Sequence, residues 1–320
     1  MKGRIFTGSG VALITPFQAD GSVSLERLRE LVEWQISQKT DAIIVCGTTG
    51  EASTLTKDEQ AAVIAAAVSQ ARGRVPVLAG TGSNDTKQAI EKSKAAQSLG
   101  VDALLLVTPH YNKATQRGLL LHYRAIADAV DRPIILYNVP SRTGVCIAAE
   151  TYQALSLHKN IVAIKEASGD FSAIMKQREL CGNALDLYSG NDDQILPVLS
   201  VGGCGVISVL ANILPEQVHE LCASYFRGDT EKSELMQTGL NELIRALFCE
   251  VNPIPVKTAM NLCGMDVGPL RLPLCGLSEE HETRLQQVLK KSGLLGRNGD
   301  GIDFGRMRRP HGAADGKGRS

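Results

Sequence analysis

The chain has 320 residues, of which 43% are hydrophobic and 21% charged, as in an ordinary globular protein. Lys and Arg together number 34, and so do Asp and Glu, so no net charge favours binding to nucleic acid or an anionic membrane surface. No apolar stretch is long enough to span a membrane and residues 1–7 lack the apolar core of a secretory signal, so a cytoplasmic location is expected.

Eight short apolar runs recur along the chain, each followed by turn residues and a stretch with helical spacing. They occupy residues 10–15, 41–47, 75–80, 103–108, 133–138, 161–165, 185–190 and 205–209. Their hydrophobicity is continuous rather than alternating, which indicates strands buried on both faces, as in a parallel sheet. Eight such units predict a (β/α)₈ TIM barrel. A doubly wound open sheet is the alternative, but no GxGxxG turn follows the first run.

The helical segments carry recognisable start signals, and their distribution divides the chain. Ser24 is a predicted N-cap for residues 25–34, and Thr56 with Glu59 forms a capping-box pattern. From about residue 215 to 295 the pattern is helical, with no further strand. We predict a TIM-barrel catalytic domain at 1–227, a small C-terminal helical domain at 228–295 and a disordered tail at 296–320.

The cysteines and histidines indicate neither disulfides nor a metal site. None of the eight cysteines forms a CxxC pair, and most lie in apolar runs, as expected of buried thiols in a reducing compartment. The six histidines lack the spacing of zinc ligands, so no structural zinc is predicted.

Polar residues cluster where the predicted strands end, and a barrel would bring these ends to one mouth. The second run ends in residues 47–51, GTTGE, whose two glycines allow backbone N–H groups to approach an anion. The other strand ends carry Tyr111, Tyr137, Arg142, Gly190 and Ile207. Taken singly, each has an ordinary alternative as a turn residue, a core side chain or a surface ion pair.

The sixth run, residues 161–165, places four apolar residues directly before Lys165. Burial favours the neutral amine, which is the form that attacks a carbonyl carbon. The alternative is a lysine just past the strand with its ammonium in solvent. Phenols, hydroxyls and a guanidinium at the same mouth, without paired carboxylates or a Ser-His-Asp order, suit imine chemistry on a keto acid, with Lys165 as the Schiff-base former.

The combination of GTTGE, TPHYN, YNVPSRTG, VAIKEA, YSGND, GVIS and NPIPVK resembles the dihydrodipicolinate synthase family. That family belongs to the pyruvate-dependent class I aldolases, with N-acetylneuraminate lyase. The resemblance covers roughly residues 8–295. Lys165, Tyr137 and GTTGE are shared across the superfamily, whereas Arg142 and Tyr111, with the two threonines of GTTGE, point to the synthase family.

The resemblance implies that Lys165 forms a Schiff base with pyruvate, whose carboxylate Thr48 and Thr49 would bind. The enamine would attack the aldehyde of L-aspartate 4-semialdehyde, the entry step of the diaminopimelate and lysine pathway. Tyr137, Thr49 and Tyr111 would form a proton relay. No cofactor is implied.

The same resemblance implies how the pocket is completed. Tyr111 would come from the neighbouring subunit of a dimer, usually within a homotetramer. Arg142 would bind the carboxylate of the semialdehyde, and the carbonyl of Ile207 and the Gly190 turn would line the pocket. Lysine-inhibited members carry histidines near Lys57 or Gln60, so their absence here predicts weak or absent inhibition by L-lysine.

Two other functions remain open at this stage. One is another pyruvate-dependent aldolase, acting on N-acetylneuraminate, a 2-keto-3-deoxy sugar acid or 4-hydroxy-2-oxoglutarate. Arg142 argues against it, because a second carboxylate site suits aspartate semialdehyde. The other is a catalytically silent barrel that binds a keto acid, and the presence of every expected catalytic residue argues against it.

Overall fold

Eight parallel strands form a closed barrel in which each strand pairs with its sequence neighbours and β1 pairs with β8. The structure, a computed structural model, describes residues 3–295, so the predicted tail lies outside the described residues. The strands are β1 (Gly8–Ala12), β2 (Ala42–Val45), β3 (Val77–Gly80), β4 (Ala103–Val107), β5 (Ile134–Asn138), β6 (Ile161–Glu166), β7 (Asp186–Ser189) and β8 (Gly205–Ser208). Each overlaps one predicted run, and the predicted TIM barrel is confirmed.

Helices follow the strands along the chain, and three more extend beyond the barrel. They are α1 (Leu25–Ser37), α2 (Lys57–Ala71), α3 (Thr86–Ser98), α4 (Gln116–Asp128), α5 (Pro140–Thr143), α6 (Ala149–Leu155), α7 (Phe171–Cys181), α8 (Ile195–Ser200), α9 (Pro215–Phe226), α10 (Thr230–Leu247), α11 (Ile254–Leu262) and α12 (Glu279–Lys291). Helix α10 packs against α8, α9 and α12. The boundary at residue 227 between the barrel domain and the C-terminal helical domain stays a prediction.

Within residues 3–295, no helix combines the length and apolarity needed to cross a membrane.

Both predicted helix starts are confirmed. The Ser24 hydroxyl accepts a hydrogen bond from the backbone N–H of Arg27 at 3.4 Å, at the start of α1. At α2, the Thr56 hydroxyl accepts from the Glu59 N–H at 3.2 Å, and the Glu59 carboxylate accepts from the Thr56 N–H at 2.9 Å. These caps satisfy backbone donors that the first helical turn leaves free.

The strands separate two apolar layers. Ile44, Leu105 and Tyr188 belong to the layer inside the barrel, whereas Ile43 and Leu104 belong to the layer between barrel and helices. Successive strand residues point to opposite faces, and here both faces of the strands pack against apolar side chains. The continuous apolar runs of the sequence follow from this double burial.

A bulge in β6 sets the direction of Lys165. Ile134 of β5 pairs with Ile161, but the next residue, Ile135, pairs with Ala163, so Val162 is an extra residue in β6. Beyond the bulge Ile164 lies in the outer layer, and Lys165 faces the interior beside its pairing partner Tyr137. Regular alternation from Ile161 to Lys165, without a bulge, would direct Lys165 towards the helices, because the bulge inverts the inside–outside pattern beyond Val162.

Candidate active site

A cavity of ≈ 180 Å³ lies at the carboxyl ends of the strands, where ligand chemistry occurs in barrels of this kind. Six of the eight site residues expected from the sequence contribute to its wall: Thr48, Thr49, Tyr137, Arg142, Lys165 and Gly190. Other wall residues include Ser141, Asn191, Phe248 and Asn252. The barrel therefore brings together residues that are far apart in the sequence.

Lys165 is the one amine in this wall. Its side chain is buried, with 5% of its surface exposed, and its Nζ atom lies 4.3 Å from the centroid of the Tyr137 ring. Burial lowers the pKa of Lys165 to about 8, and the nearby Arg142 acts in the same direction. The neutral, nucleophilic amine is therefore well populated near neutral pH.

Asp192 offsets part of this effect. This buried carboxylate accepts backbone N–H bonds at Oδ2 from Val209 at 3.0 Å and Leu210 at 2.9 Å. Its Oδ1 atom has no hydrogen-bond partner among the described residues. Burial raises the pKa of Asp192, and the negative charge of its ionised form raises that of Lys165. An acidic group thus lies close enough to stabilise a cation on the Lys165 nitrogen.

The Tyr137 hydroxyl lies next to Thr48. Burial raises the pKa of Tyr137, whereas Arg142 and a hydrogen bond with Thr48 act in the opposite direction. The sequence led us to expect Thr49 in the proton relay, but the hydroxyl in contact with Tyr137 is that of Thr48. The part that Thr49 would take in a proton relay stays a prediction.

Thr49 and Arg142 are joined by Asn252. The Asn252 Nδ2 atom donates to the Thr49 Oγ1 atom at 2.9 Å, and the Asn252 backbone carbonyl accepts from the Arg142 Nη2 atom at 3.0 Å. Thr49 and Asn252 are buried, whereas Arg142 is exposed. The guanidinium therefore lies on the open side of the cavity, with further donors available for an anion.

Three hydrogen-bond donors hold the Glu166 carboxylate behind the cavity. The Glu166 carboxylate, on the opposite face of β6 from Lys165, accepts from the Asn138 amide at 3.1 Å, the Tyr152 hydroxyl at 3.3 Å and the Ser168 N–H at 2.8 Å. Burial raises the pKa of Glu166, and these donors oppose the rise. They hold the end of β6 and so the backbone that carries Lys165.

Gly190 forms part of the cavity wall, next to the Lys165 side chain. A Cβ atom added to Gly190 would lie 2.7 Å from the Ala167 Cβ, 3.0 Å from the Glu166 carbonyl oxygen and 3.1 Å from the Lys165 Cε. There is no space for a larger residue without movement of the Lys165 side chain or its neighbours. Glycine is required here for close approach.

A buried ion pair holds the GTTGE turn in place. Glu51 at its end pairs with Lys257 of α11 at 2.8 Å, and both side chains are almost fully buried. The Lys257 ammonium also donates to the carbonyls of Thr15 at 3.1 Å and Pro269 at 2.7 Å. The helices beyond the barrel therefore support the turn that carries Thr48 and Thr49.

Two expected residues lie off the wall of this cavity. Ile207 is buried in β8, inside the barrel. Tyr111 is 89% exposed and adopts a left-handed backbone conformation with φ of 71°. Its side chain therefore does not line the cavity in the isolated chain. Within residues 3–295, no group of three or more His, Cys, Asp or Glu side chains could hold a metal ion.

Sequence reasoning missed Asn252 and assigned no role to Asp192. Asn252 stands in the NPIPVK segment, which the sequence presents as a two-proline turn, and Asp192 stands in YSGND after β7. Position after a strand was an available signal for Asp192. No local pattern marks Asn252, because its contacts cross about 110 to 203 residues of chain.

Comparison with known proteins shows the family of this chain. The model of the dihydrodipicolinate synthetase family matches residues 5–292. A 4-hydroxy-tetrahydrodipicolinate synthase from Thermoanaerobacter sp. (strain X514) is 56% identical over 292 residues, which cover 91% of this chain and 98% of the relative.

Solved structures show the same relationship. The dihydrodipicolinate synthase of Thermotoga maritima is 44% identical, with a TM-score of 0.89 over 91% of this chain and 100% of that one. The chloride-inhibited enzyme of Acinetobacter baumannii, complexed with pyruvate, has the same identity of 44%, TM-score of 0.89 and coverage of 91% and 100%. This chain therefore belongs to the dihydrodipicolinate synthetase family.

Proposed function

We propose that this protein is a lyase that condenses pyruvate with L-aspartate 4-semialdehyde to give 4-hydroxy-tetrahydrodipicolinate, the entry step of diaminopimelate and lysine biosynthesis. The observation that carries the proposal is the buried Lys165 amine, with a pKa of about 8, in a cavity that also holds Arg142 and the GTTGE hydroxyls. Family membership supports the choice of substrates.

The lysine pKa has a direct kinetic consequence. At pH 8, about half of Lys165 is neutral, compared with about 0.4% of a lysine with an ordinary pKa. The neutral amine attacks C2 of pyruvate, and loss of water from the carbinolamine gives a protonated imine. Tyr137, with Thr48 beside it, is placed to transfer the protons of these steps. Asp192 favours the new cation.

The imine then activates the pyruvate methyl group. Loss of a C3 proton sends its electron pair towards the iminium nitrogen, which acts as the electron sink, so the chemistry requires no cofactor. The enamine carbon attacks the semialdehyde aldehyde, and the resulting alkoxide takes a proton. The amino group of the semialdehyde then attacks the imine carbon, and the ring closes as the Lys165 amine leaves.

The carboxylates of the two substrates have separate sites in this proposal. Thr48 and Thr49 bind the pyruvate carboxylate, and Arg142 on the open side of the cavity binds that of the semialdehyde. The carbonyl of Ile207 and the Gly190 turn line the pyruvate site. Tyr111 enters the site of a neighbouring subunit, in a dimer within a homotetramer, and its 89% exposure in the isolated chain supports this role.

We place the enzyme in the cytoplasm. All eight cysteines are unpaired, including five that are buried, which is the state expected in a reducing compartment.

The test is consumption of pyruvate by the purified protein with L-aspartate 4-semialdehyde as acceptor. Lys165→Ala should abolish turnover, and Arg142→Ala should raise the KM for the semialdehyde. Borohydride reduction with pyruvate should add one pyruvate-derived mass to the wild type and to Lys159→Ala, a control at an exposed lysine of the same segment.

Each failure identifies a different error. Trapped pyruvate without reaction of the semialdehyde would retain the Schiff base and favour a sugar-acid or N-acetylneuraminate aldolase. A Lys165 that pyruvate and borohydride leave unmodified would favour the catalytically silent barrel.

A further inference from the structure

We propose that Asn252 is a positioning residue that orients the donors for both substrate carboxylates, an inference that rests on the proposed function. Asn252 lies between α10 and α11, in the segment beyond the barrel, yet it forms part of the cavity wall and is only 6% exposed. Together with Phe248, it brings the segment between α10 and α11 into the cavity wall.

The side chain of Asn252 fixes the direction in which the Thr49 hydroxyl donates its hydrogen bond. A hydroxyl has one proton to donate and two lone pairs to accept with. The Asn252 Nδ2–H fills one of those lone pairs, at 2.9 Å from Oγ1. The Thr49 proton is thereby left free to point into the cavity, where a pyruvate carboxylate needs a donor. Without the amide, the hydroxyl could rotate and its donor direction would be unspecified.

The backbone of Asn252 acts on Arg142. The carbonyl oxygen accepts from one guanidinium nitrogen of Arg142 at 3.0 Å, which limits the rotation of an otherwise exposed side chain. The remaining guanidinium donors stay available for the second carboxylate. Because the same residue is anchored on Thr49, the spacing between the two carboxylate sites is set through one short segment.

A role in stability alone does not account for this amide. Its Oδ1 atom is buried and has no hydrogen-bond partner among residues 3–295. A buried acceptor without a partner destabilises the fold, and such groups call for an explanation when a protein retains them. The contact with Thr49 supplies one, since only the donor half of the amide is used.

The experiment measures pyruvate binding and turnover separately. The pyruvate concentration that half-saturates borohydride trapping on Lys165 reports on the pyruvate site alone, because no acceptor is present. The KM for the semialdehyde reports on the site at Arg142. Asn252→Ala should raise the pyruvate half-saturation about tenfold, as for loss of one hydrogen bond near a charge. It should raise the semialdehyde KM about threefold, because the carbonyl remains but loses its anchor.

Two further variants separate positioning from folding. Asn252→Asp keeps the side-chain shape but cannot donate to Thr49, so pyruvate half-saturation should rise at least as much as in Asn252→Ala. Asn261→Ala removes an amide of α11 that bonds Val267 and Gly268 outside the active-site cavity, and it should leave both constants unchanged.

A double-mutant cycle tests the connection to Thr49. In a Thr49→Val background, Asn252→Ala should change pyruvate half-saturation by less than twofold, and in an Arg142→Ala background it should leave the semialdehyde KM unchanged. Additive effects in the Thr49 cycle, or a pyruvate half-saturation within twofold of wild type in both Asn252 variants, would overturn the proposal. A protein that traps pyruvate but ignores the semialdehyde refutes the proposed acceptor, while the Thr49 cycle still decides the role of Asn252.

Discussion

Replacing Lys257 with Met should lower the free energy of unfolding by about 3–5 kcal/mol, because it leaves the buried Glu51 carboxylate without its ion-pair partner. Lys257 and Glu51 have side chains only 1% and 0% exposed, and their charged atoms lie 2.8 Å apart. The ammonium also lies 4.2 Å from the centroid of the Phe17 ring. After the substitution, Glu51 keeps the Arg271 N–H at 3.0 Å and the attraction of the Arg271 guanidinium, but loses the ammonium at 2.8 Å.

Thermal unfolding, followed by circular dichroism, measures the effect. At about 2–4 °C per kcal/mol for proteins of comparable size, the melting temperature should fall by at least about 6 °C. Lys39→Met breaks the exposed pair with Glu216, whose atoms lie 2.9 Å apart, and should change the melting temperature by less than about 2 °C. Neutralising the orphaned acid in Lys257→Met/Glu51→Gln should recover part of the loss.

Two results would refute the reasoning. A melting temperature for Lys257→Met within 2 °C of the wild type, on the scale of about 2–4 °C per kcal/mol, would show that the buried pair contributes little. A double variant no more stable than the single one would show that the uncompensated charge on Glu51 is not the cause. A rise in the pyruvate KM of Lys257→Met is also expected, because Glu51 ends the turn that carries Thr48 and Thr49.

Three further predictions concern activity. The initial rate of pyruvate trapping should rise with pH to a midpoint near 8, the pKa of Lys165, because deprotonation exposes the nucleophile; a midpoint above 10 would contradict this. Gly190→Ala should lower kcat at least about tenfold in steady-state assays, since the new Cβ would lie 3.1 Å from the Lys165 Cε, whereas Gly239→Ala, where a Cβ meets no atom, should be neutral. Inhibition by L-lysine should stay below one half at roughly 1 mM, because the resemblance implies a histidine near Lys57 or Gln60 in inhibited members, and the charge of Lys57 disfavours a cationic ligand. Half inhibition at sub-millimolar lysine would exclude this prediction.

The direction of Lys165 shows where sequence reasoning stops. The apolar run before it predicts a buried strand, and simple alternation along that strand from Ile161, which packs on the outer face, would place the lysine outside the barrel as well. The bulge at Val162 restores the inward direction. A bulge depends on pairing with β5, which no local pattern specifies.

The two threonines of GTTGE make the same point at the scale of single atoms. Their position after β2 predicts hydroxyls at the barrel mouth, but adjacent residues of a turn diverge. Thr48 contacts Tyr137 and Thr49 contacts Asn252 only because β5 and the segment before α11 arrive from different directions. Which partner each hydroxyl meets was decided by the tertiary structure.

The sequence by itself determined the barrel, its strand order and six of the residues in the cavity wall. Each depends on local information: continuous apolar runs, helix caps and polar residues placed directly after strands. Tertiary structure alone decided the pairing bulge that aims Lys165, the buried Asp192 beside it, the Glu51–Lys257 pair and the entry of Asn252 into the site. These depend on contacts between residues 27 to 206 positions apart, whose formation reflects packing and burial rather than any pattern along the chain.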